Sequence, residues 1–189
     1  MVKLNRIYTR KGDDGTTRLA DSSRLAKSSE RIEAIGAVDE ANAALGLLAA
    51  ALTGLELKQA IEAIQNDLFD LGADLATPGT EFEPSDVILR IVPEQVTALE
   101  AAIDALNEDL APLTSFVLPG GSEESARAHV ARGAVRRAER AMVALGISKP
   151  LNPAALAYIN RLSDYLFVLA RALNAAHGGD VLWKPGANR

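Results

Sequence analysis

The clearest helical pattern in the chain is the stretch from Ser122 to Gly146, which reads SEESARAHVARGAVRRAERAMVALG. It is rich in alanine, which has the highest intrinsic helix propensity. Ser122, followed by Glu124 and Ser125, predicts a capped helix start, and Gly146 predicts an end after about Leu145. The stretch therefore predicts a long helix. Because aromatic residues make up only 4% of the chain, helices rather than sheets are expected elsewhere as well.

One face of this helix is unusually basic. Successive helical residues rotate by about 100°, so a stripe about 100° wide collects the polar side chains. These are His129, Arg132, Arg136, Glu139 and Arg140, and the residues expected away from them are Ala126, Val130, Ala134, Ala138 and Leu145. A solvated face with ion pairs at i,i+3 and i,i+4 is one interpretation. The other is a polyphosphate site, because one acid faces three arginines and each guanidinium offers a forked set of donors.

Four more helices are predicted around this one. Apolar residues at three- and four-residue steps, with Ser, Pro and Gly at the ends, indicate their limits. The expected helices run from Ser28 or Ser29 to about Leu52, over about 55–76, over about 92–109 and over about 153–176, with a surface loop at 77–91. The resulting prediction is an all-α, five-helix bundle in a single domain over 1–189, divided into an extended arm at 1–28, the bundle at 29–177 and a tail at 178–189.

The composition narrows the class of protein. The chain has 189 residues, 48% of them hydrophobic and 24% charged, which is typical of a single globular domain. A net charge of −5 disfavours a general nucleic-acid binder. The absence of cysteine excludes disulfides and thiolate sites, and two histidines are too few for a zinc cluster. We see no apolar signal core and no run approaching about 18 apolar residues, so we expect a cytoplasmic protein without a membrane span.

The N-terminal arm contains a loop whose chemistry suits phosphate. It reads Thr9-Arg10-Lys11-Gly12-Asp13-Asp14-Gly15-Thr16-Thr17. Two glycines let the backbone approach a ligand, and the backbone amides can form an anion-binding nest. The loop is not a Walker A motif, because the G-x-x-x-x-G-K-[ST] pattern is absent. Ordinary turn chemistry, in which glycine sits beside aspartate, is the alternative interpretation.

Two other helices carry polar side chains that need an explanation. In the last helix, Asn160, Ser163, Phe167, Arg171 and Asn174 share a stripe, and the core-facing side is Ile159, Leu162, Leu166, Leu169 and Leu173. That stripe is either plain surface or a place where the side-chain amide of Asn160 binds a nucleotide.

In the first helix, Asp39 lies among small residues that allow another helix to approach closely. A carboxylate there would need a cationic partner, such as an arginine of the fourth helix, unless it is simply exposed.

Five segments, in this order, resemble the motifs of the PduO-type ATP:cob(I)alamin adenosyltransferases. They are Thr9–Thr17, Arg31–Asn42 around Val38-Asp39-Glu40, Phe116–Gly121, Arg132–Arg140 and Tyr158–Arg171. The resemblance covers nearly the whole chain and is weakest in the second and third helices and in the 77–91 loop. It implies a homotrimer of five-helix bundles, with active sites between adjacent subunits and with ATP, Mg²⁺ and cob(I)alamin as the required small molecules.

The resemblance also implies roles for individual residues. Thr9–Thr17 and Lys27 would bind the ATP phosphates, and the nucleotide site would be completed by Arg136, Arg137, Glu139, Arg140 and Asn160. Arg132 would pair with Asp39 across the subunit boundary, and Phe116 would press on the lower face of the corrin. The expected catalytic residues are Arg132, Arg136, Asp39 and Phe116, and Phe167 joins Phe116, Arg132 and Asp39 as a cobalamin-binding residue. Mg²⁺ would be held mainly by the ATP phosphates, with Glu139 as the candidate protein ligand.

The implied reaction is attack by Co(I) on the ribose 5′ carbon of ATP, with triphosphate leaving. Because Co(I) is already a strong nucleophile, no general base is required, which agrees with a sequence lacking a His-acid or Ser-His pair. A cobalamin-dependent client enzyme and a flavin-type reductase are the expected protein partners. Two alternatives stay open: a non-catalytic adenosylcobalamin carrier or chaperone, which could share every motif, and a purely structural helical bundle.

Overall fold

The computed structural model describes residues 8–189. Helices dominate the fold: α1 Glu30–Ala51, α2 Leu55–Leu75, α3 Pro93–Asn107, α4 Glu123–Ser148 and α5 Pro153–Ala175. Helix α4 lies at the centre, where it packs against both α1 and α5, while α2 packs on α1 and α3 packs on α5. The prediction of an all-α five-helix bundle is confirmed.

The core consists of leucine and isoleucine side chains from the outer helices packed against alanines of the central ones. Ala34, Ala41, Ala128, Ala131 and Ala138 are completely buried. Small residues at these positions let the backbones of α1 and α4 approach closely, so their larger neighbours fill the remaining space. The buried hydroxyl of Tyr158 donates to Asp67 at 2.8 Å, which satisfies the one polar atom that this ring brings into the core.

The predicted helix limits are correct to within about two residues, except at the end of α4. Gly146 was expected to terminate α4, but the helix continues to Ser148. The backbone N–H of Lys149 still donates to Leu145 O at 3.0 Å, so the ladder runs through the glycine. Pro150 is the physical stop, because the residue before a proline is driven out of the helical region. Lys149 accordingly has φ −137° and ψ 138°.

The arm is more ordered than an extended loop. It contains a short antiparallel hairpin of β1 (Thr16–Arg18) and β2 (Arg24–Ala26), with Arg18 opposite Arg24. Asp21 organises the turn, since its carboxylate accepts from the N–H of Ser23 at 2.9 Å and from the hydroxyl at 2.6 Å. The first seven residues of the arm expected at 1–28 lie outside the described residues.

The tail at 178–189 folds back onto the loop that precedes α4. Leu118 N–H donates to Val181 O at 2.7 Å, and Trp183 N–H donates to Phe116 O at 2.8 Å. Asp180 forms an ion pair with Arg171 of α5 at 2.9 Å, and both side chains are largely buried. These contacts fix the tail against one end of the bundle, where Trp183 of the tail lines a cavity.

A buried ion pair holds the 77–91 loop in place. Arg90 donates to Asp74 at 2.7 Å, and both side chains are buried. Asp74 also accepts from the amide of Asn152 at 2.7 Å and from the backbone N–H of Ile91 at 3.0 Å. The carboxylate is therefore compensated by three donors, which is what makes a buried charge tolerable. This cluster ties the loop to the start of α5.

One described helix, α1, is long and apolar enough to cross a membrane by length and composition, with a mean hydropathy of 1.3 over its best window. It contains no uninterrupted run of about 18 apolar residues, because Asp39 and Glu40 stand in its middle, as the sequence predicted. In the fold, the buried residues of α1 pack against α2 and α4. A core helix of a bundle passes the same test for this reason.

Candidate functional site

A cavity that we call the aromatic cavity opens at the end of the bundle where α4, α5 and the tail meet. It has a volume of about 760 Å³. Its lining combines three aromatic rings with two arginines and several hydroxyls: Leu113, Thr114, Ser115, Phe116, Val117, His129, Arg132, Arg136, Ser163, Asp164, Phe167 and Trp183. Large apolar walls with a few polar groups are typical of a site for a bulky organic ligand.

Phe116 and Trp183 form the outer wall of this cavity. The two rings are tilted by 59°, with their centroids 5.9 Å apart. Phe116 is 77% exposed and Trp183 is 44% exposed, so both apolar faces are available to a ligand. Phe116 was predicted from the sequence, whereas Trp183 was not. The tail has no helical periodicity that would have placed Trp183 beside Phe116, since their contact depends on the chain folding back.

Arg132 and Phe167 form the inner wall. The guanidinium carbon of Arg132 lies 5.4 Å from the centroid of the Phe167 ring, which is a cation–π contact. Burial lowers the pKa of Arg132, and the charge of Arg136 lowers it further, while Asp164 acts in the opposite direction. Two arginines thus gather positive charge beside an apolar surface, an arrangement that favours an anionic group in the cavity.

His129 departs from the sequence prediction. The polar stripe expected on α4 contained His129 and placed Val130 away from it, yet His129 is only 6% exposed and Val130 is 59% exposed. The reason is that α4 is covered on two sides, by α1 and by α5, so its buried sector is wider than that of a helix packed on one side. His129 faces α5, where its ring meets the edge of Phe167 with centroids 6.4 Å apart.

A second depression, which we call the arm depression, lies entirely within the N-terminal arm. It has a volume of about 600 Å³. Its lining is strongly basic and hydroxylic: Thr9, Lys11, Gly12, Asp14, Thr16, Thr17, Arg18, Arg24 and Lys27. Most of the predicted loop residues line it together with Lys27, but three of them do not: Arg10, Asp13 and Gly15. Arg18 and Arg24 were missed, because their approach depends on the hairpin register that pairs them.

The loop that lines the arm depression is shaped by local hydrogen bonds. Asp14 accepts from the backbone N–H of Thr16 at 3.0 Å and from its hydroxyl at 2.8 Å, and Arg24 donates to the same carboxylate at 2.8 Å. The hydrogen bonds from Thr16 and the charge of Arg24 lower the pKa of Asp14. Gly15 has φ +79°, a left-handed conformation that favours glycine.

The remaining residues predicted for the nucleotide lie on α4 and α5, outside both lining sets except for Arg136. Asn160 donates to Glu139 at 2.8 Å, and Arg140 donates to the backbone carbonyl of Arg136 at 3.0 Å. Arg137 turns towards α1 instead, where it forms an ion pair with Glu40 and lies 4.0 Å from Glu33. Within one chain, the predicted nucleotide residues are therefore divided between the arm and two faces of α4.

Asp39 is exposed on α1, where it borders an apolar groove of about 490 Å³ together with Ile32, Ile35 and Phe69. Among the ion pairs of residues 8–189, none joins Asp39 to an arginine of its own chain. The sequence-based idea that an arginine of α4 compensates this carboxylate is therefore not met inside a single chain. The cross-subunit pairing with Arg132 stays a prediction.

Two polar residues of α5 have structural rather than ligand-facing contacts. Arg171 is buried, where it donates to Asp180 at 2.9 Å and to Ala111 O at 2.7 Å. Asn174 is fully buried and accepts from Ser122 N–H at 3.0 Å while donating to Gly120 O at 3.0 Å. The interpretation of this stripe as plain surface was wrong for these two residues, because the tail and the 116–121 loop cover them.

A magnesium ion would find few protein ligands here. Over residues 8–189, no group of three or more His, Asp or Glu side chains is close enough to hold a metal ion. Mg²⁺ normally keeps several waters and is often bound through substrate phosphates with one or two carboxylates. The donor set therefore fits a metal that arrives with a nucleotide and does not fit a resident all-protein metal centre.

Comparison with known sequences gives consistent relatives. The sequence model of the family described as "Cobalamin adenosyltransferase" matches residues 7–173. The Corrinoid adenosyltransferase of Mycobacterium tuberculosis is 51% identical over 191 aligned positions, covering 100% of this chain and 97% of that protein. The Corrinoid adenosyltransferase PduO of Salmonella typhimurium is 44% identical, covering 93% of this chain and 52% of that protein.

Comparison with solved structures points in the same direction. A variant PduO-type ATP:corrinoid adenosyltransferase from Lactobacillus reuteri, complexed with cobalamin and ATP, superposes with a TM-score of 0.87 at 36% identity, covering 95% of this chain and 99% of that one. A second variant of that protein, complexed with ATP, gives a TM-score of 0.85 at 36% identity, with 94% and 100% covered.

Proposed function

The chain belongs to the cobalamin adenosyltransferase family, and from that premise we propose that it transfers the 5′-deoxyadenosyl group of ATP to cob(I)alamin. The products are adenosylcobalamin and triphosphate. The observation that carries this proposal is the aromatic cavity, where Phe116 and Trp183 offer exposed ring faces beside Arg132 and Arg136. A planar macrocycle with an anionic co-substrate nearby is the kind of ligand that these walls suit.

The chemistry needs placement and charge stabilisation more than proton transfer. Co(I) attacks the ribose 5′ carbon, the Co–C bond forms, and the C5′–O bond breaks with its electron pair leaving on the triphosphate. Arg136 is proposed to stabilise the leaving triphosphate, and Arg132 to contact the cobalamin and help orient the reactants. Preorganised donors of this kind typically contribute 10²–10³-fold to a rate. The amides of Thr9–Thr17, with Lys27, are proposed to hold the phosphates.

Phe116 is proposed to lie against the lower face of the corrin. An apolar ring there disfavours water or a nitrogen base as the lower axial ligand, and Trp183 and Phe167 extend the same apolar surface. A corrin without its lower ligand is easier to reduce from Co(II) to Co(I). Phe116 thus acts before the transfer step, by preparing the nucleophile.

Mg²⁺ is proposed to travel with ATP and to neutralise part of the triphosphate charge. Glu139 is the candidate protein ligand, and its carboxylate is held by the amide of Asn160 at 2.8 Å. Its remaining lone pairs suit a water of the hydrated ion, since Mg²⁺ sheds water reluctantly.

The arm depression and the aromatic cavity share no lining residue. If the arm holds the phosphates while Arg136 stabilises the leaving triphosphate, both must contact the same ATP molecule. A neighbouring copy of the chain would then supply either the arm or Arg136. This supports active sites that are shared between subunits, which we propose form a homotrimer. The exposed Asp39, next to an apolar groove, is then proposed to meet Arg132 of the neighbour.

Subunit complementation tests the shared site. Lys27→Ala disables the arm, and Arg136→Ala disables the arginine face. Each variant alone should be nearly inactive. Mixed oligomers should regain part of the wild-type rate, because one interface combines an intact arm with an intact α4. Mixtures that stay inactive after subunit exchange, verified by mass, would place the whole site within one chain.

The function itself is tested by the visible spectrum of the corrin. Protein, ATP, Mg²⁺ and chemically reduced cob(I)alamin should yield adenosylcobalamin, and omission of ATP should abolish the conversion. A non-catalytic carrier, which is the alternative, would bind adenosylcobalamin without forming it. The proposal also includes a cytoplasmic location and two protein partners. A flavin-type reductase would supply electrons, and a cobalamin-dependent client enzyme would receive the product.

A further inference from the structure

His129 is a buried side chain that the transfer chemistry leaves without a role. It sits one turn before Arg132 on α4 and is only 6% exposed, yet it belongs to the lining of the aromatic cavity. Among residues 8–189, neither of its ring nitrogens has a hydrogen-bond partner. A buried polar group without a partner is destabilising, so its presence in a cavity wall calls for an explanation.

The surroundings of His129 favour the uncharged form of its imidazole. Burial lowers its pKa, and the positive charge of Arg132 lowers it further, while Asp180 acts in the opposite direction. Asp180 is already paired with Arg171 at 2.9 Å, which weakens that opposing effect. A neutral imidazole has one N–H donor and one nitrogen acceptor. The ring can therefore bond a group that both donates and accepts.

Phe167 packs against this imidazole in the cavity lining. The two rings meet edge-on with centroids 6.4 Å apart, and the guanidinium carbon of Arg132 lies 5.4 Å from the centroid of the same Phe167 ring. Phe167 is partly exposed, whereas His129 and both of its ring nitrogens are buried. Rotation of the Phe167 ring is the movement that a ligand in the cavity would require to reach the imidazole.

Resting on the proposed function, we propose that His129 binds the corrin by hydrogen-bonding a primary carboxamide at the edge of the macrocycle. Corrinoids carry acetamide and propionamide groups around the ring, and each of these both donates and accepts. Arg132 can only donate, and the aromatic side chains contact only the flat face of the ring. Hydroxyls of the lining also donate and accept, but His129 is the lining residue whose two polar atoms are both buried without a partner among residues 8–189. His129 thus sets the rotation and depth of the ring against Phe116.

Kinetics with matched variants test this assignment. His129→Leu should raise the KM for the corrinoid about tenfold and leave the KM for ATP unchanged. His129→Gln keeps a donor and an acceptor, so it should stay within about threefold of wild type. His177→Leu is the control, since His177 is exposed and its ring bonds only Leu173 O among the described residues. Its kinetics should match wild type.

A comparison of cobalamin with cobinamide distinguishes a contact at the ring edge from a contact with the nucleotide loop. Cobinamide lacks the lower nucleotide but keeps carboxamides around the ring, so His129→Leu should lose the same factor with cobinamide as with cobalamin. A loss confined to cobalamin would move the contact to the nucleotide loop and overturn the proposal. A rise in the ATP KM alone would overturn it as well. So would an equal loss in His129→Gln, which would indicate a packing role.

Nitrogen NMR tests the contact even if the leucine variant fails to fold. The chain has two histidines, so ¹⁵N-histidine labelling gives two ring systems. Adenosylcobinamide, which is diamagnetic and has neither a nucleotide loop nor a cyanide below the ring, should shift the His129 ring nitrogens towards hydrogen-bonded values and leave those of His177 in place. Unchanged His129 signals at saturation would refute the contact. A wild-type protein that forms no adenosylated product would instead refute the proposed function and leave this binding result to be judged separately.

Discussion

The arm depression and the aromatic cavity are built in opposite ways. The arm depression is formed by a single segment between Thr9 and Lys27, most of it exposed, and held by a hairpin and the short bonds of Asp14. The aromatic cavity draws its wall from the 113–117 loop, α4, α5 and the tail, with His129 and Ser163 buried in it. A local loop can adjust to a flexible triphosphate, whereas a wall assembled from the bundle has a preformed backbone that suits a rigid ring, with side-chain rotation at Phe167 as its adjustable part.

The electrostatics of the two regions differ in the same sense. Lys11, Arg18, Arg24 and Lys27 line the arm depression with Asp14 as the one acid in that lining. Arg18 and Arg24 lie directly opposite each other in the hairpin, and like charges in that position are destabilising. A bound polyanion would relieve this repulsion. In the aromatic cavity, the guanidinium of Arg132 instead lies over the face of the Phe167 ring. The charge is therefore placed against an aromatic face and does not interrupt the apolar surface.

The largest expected effect comes from the residue that is proposed to serve both regions. Arg136→Ala should lower kcat by about 10²–10³-fold, because it removes a donor to the leaving triphosphate. Steady-state kinetics measures this. Arg127→Ala is the matched control on the same helix, where Arg127 pairs with Glu123, and it should keep near-normal turnover. Near-normal turnover in Arg136→Ala would show that this arginine of the cavity does not stabilise the leaving triphosphate.

The next effect separates the aromatic wall from the phosphate site. Phe116→Ala should lower activity by roughly tenfold or more when the assay starts from Co(II), since each factor of ten needs only about 1.4 kcal/mol. When Co(I) is supplied chemically, the loss should be much smaller. The two assays share ATP and protein and differ only in the cobalt state. Equal losses in both would rule out a role in removing the lower ligand.

A smaller effect is expected in the arm depression. An added Cβ on Gly12 would lie 3.2 Å from Lys27 Nζ and 3.2 Å from Thr16 O, so Gly12→Ala should displace Lys27. We expect the KM for ATP to rise about tenfold, equivalent to about 1.4 kcal/mol, with the corrinoid KM unchanged. Gly133→Ala is the control, because a Cβ there meets no atom within 4 Å. It should stabilise α4 by up to about 1 kcal/mol in urea unfolding without changing either KM.

The smallest effect is on stability against pH. His129 has a folded-state pKa below its ordinary value, so the unfolded chain binds more protons once the pH falls below about 6.5. His129 should therefore contribute a loss of stability as the pH falls from about 6.5 towards its folded pKa. Arg132 and Asp180 face it and are retained in the test variant. The urea midpoint of His129→Gln should fall less over this window than that of wild type, and parallel curves would contradict the assignment.

The helices and the loop of the arm depression could be predicted because each is encoded by neighbouring residues. The apolar spacing gave α1 to α5, and Thr9–Thr17 is contiguous in sequence. Residues that depend on chain reversal could not be found this way. Trp183 reaches Phe116 through the folded tail, and Arg18 meets Arg24 through the hairpin register. The burial of His129 was missed because a helical wheel does not reveal that a helix is covered on two sides.

Trp183 is the only tryptophan in the chain, and it stands in the wall of the aromatic cavity. Corrinoids absorb in the near ultraviolet, where indole emits, so a ring seated beside Phe116 should quench the intrinsic fluorescence by energy transfer. Occupancy of the cavity can thus be followed in real time without a label. Binding to the arm depression, which has no tryptophan in its lining, should leave that emission largely unchanged.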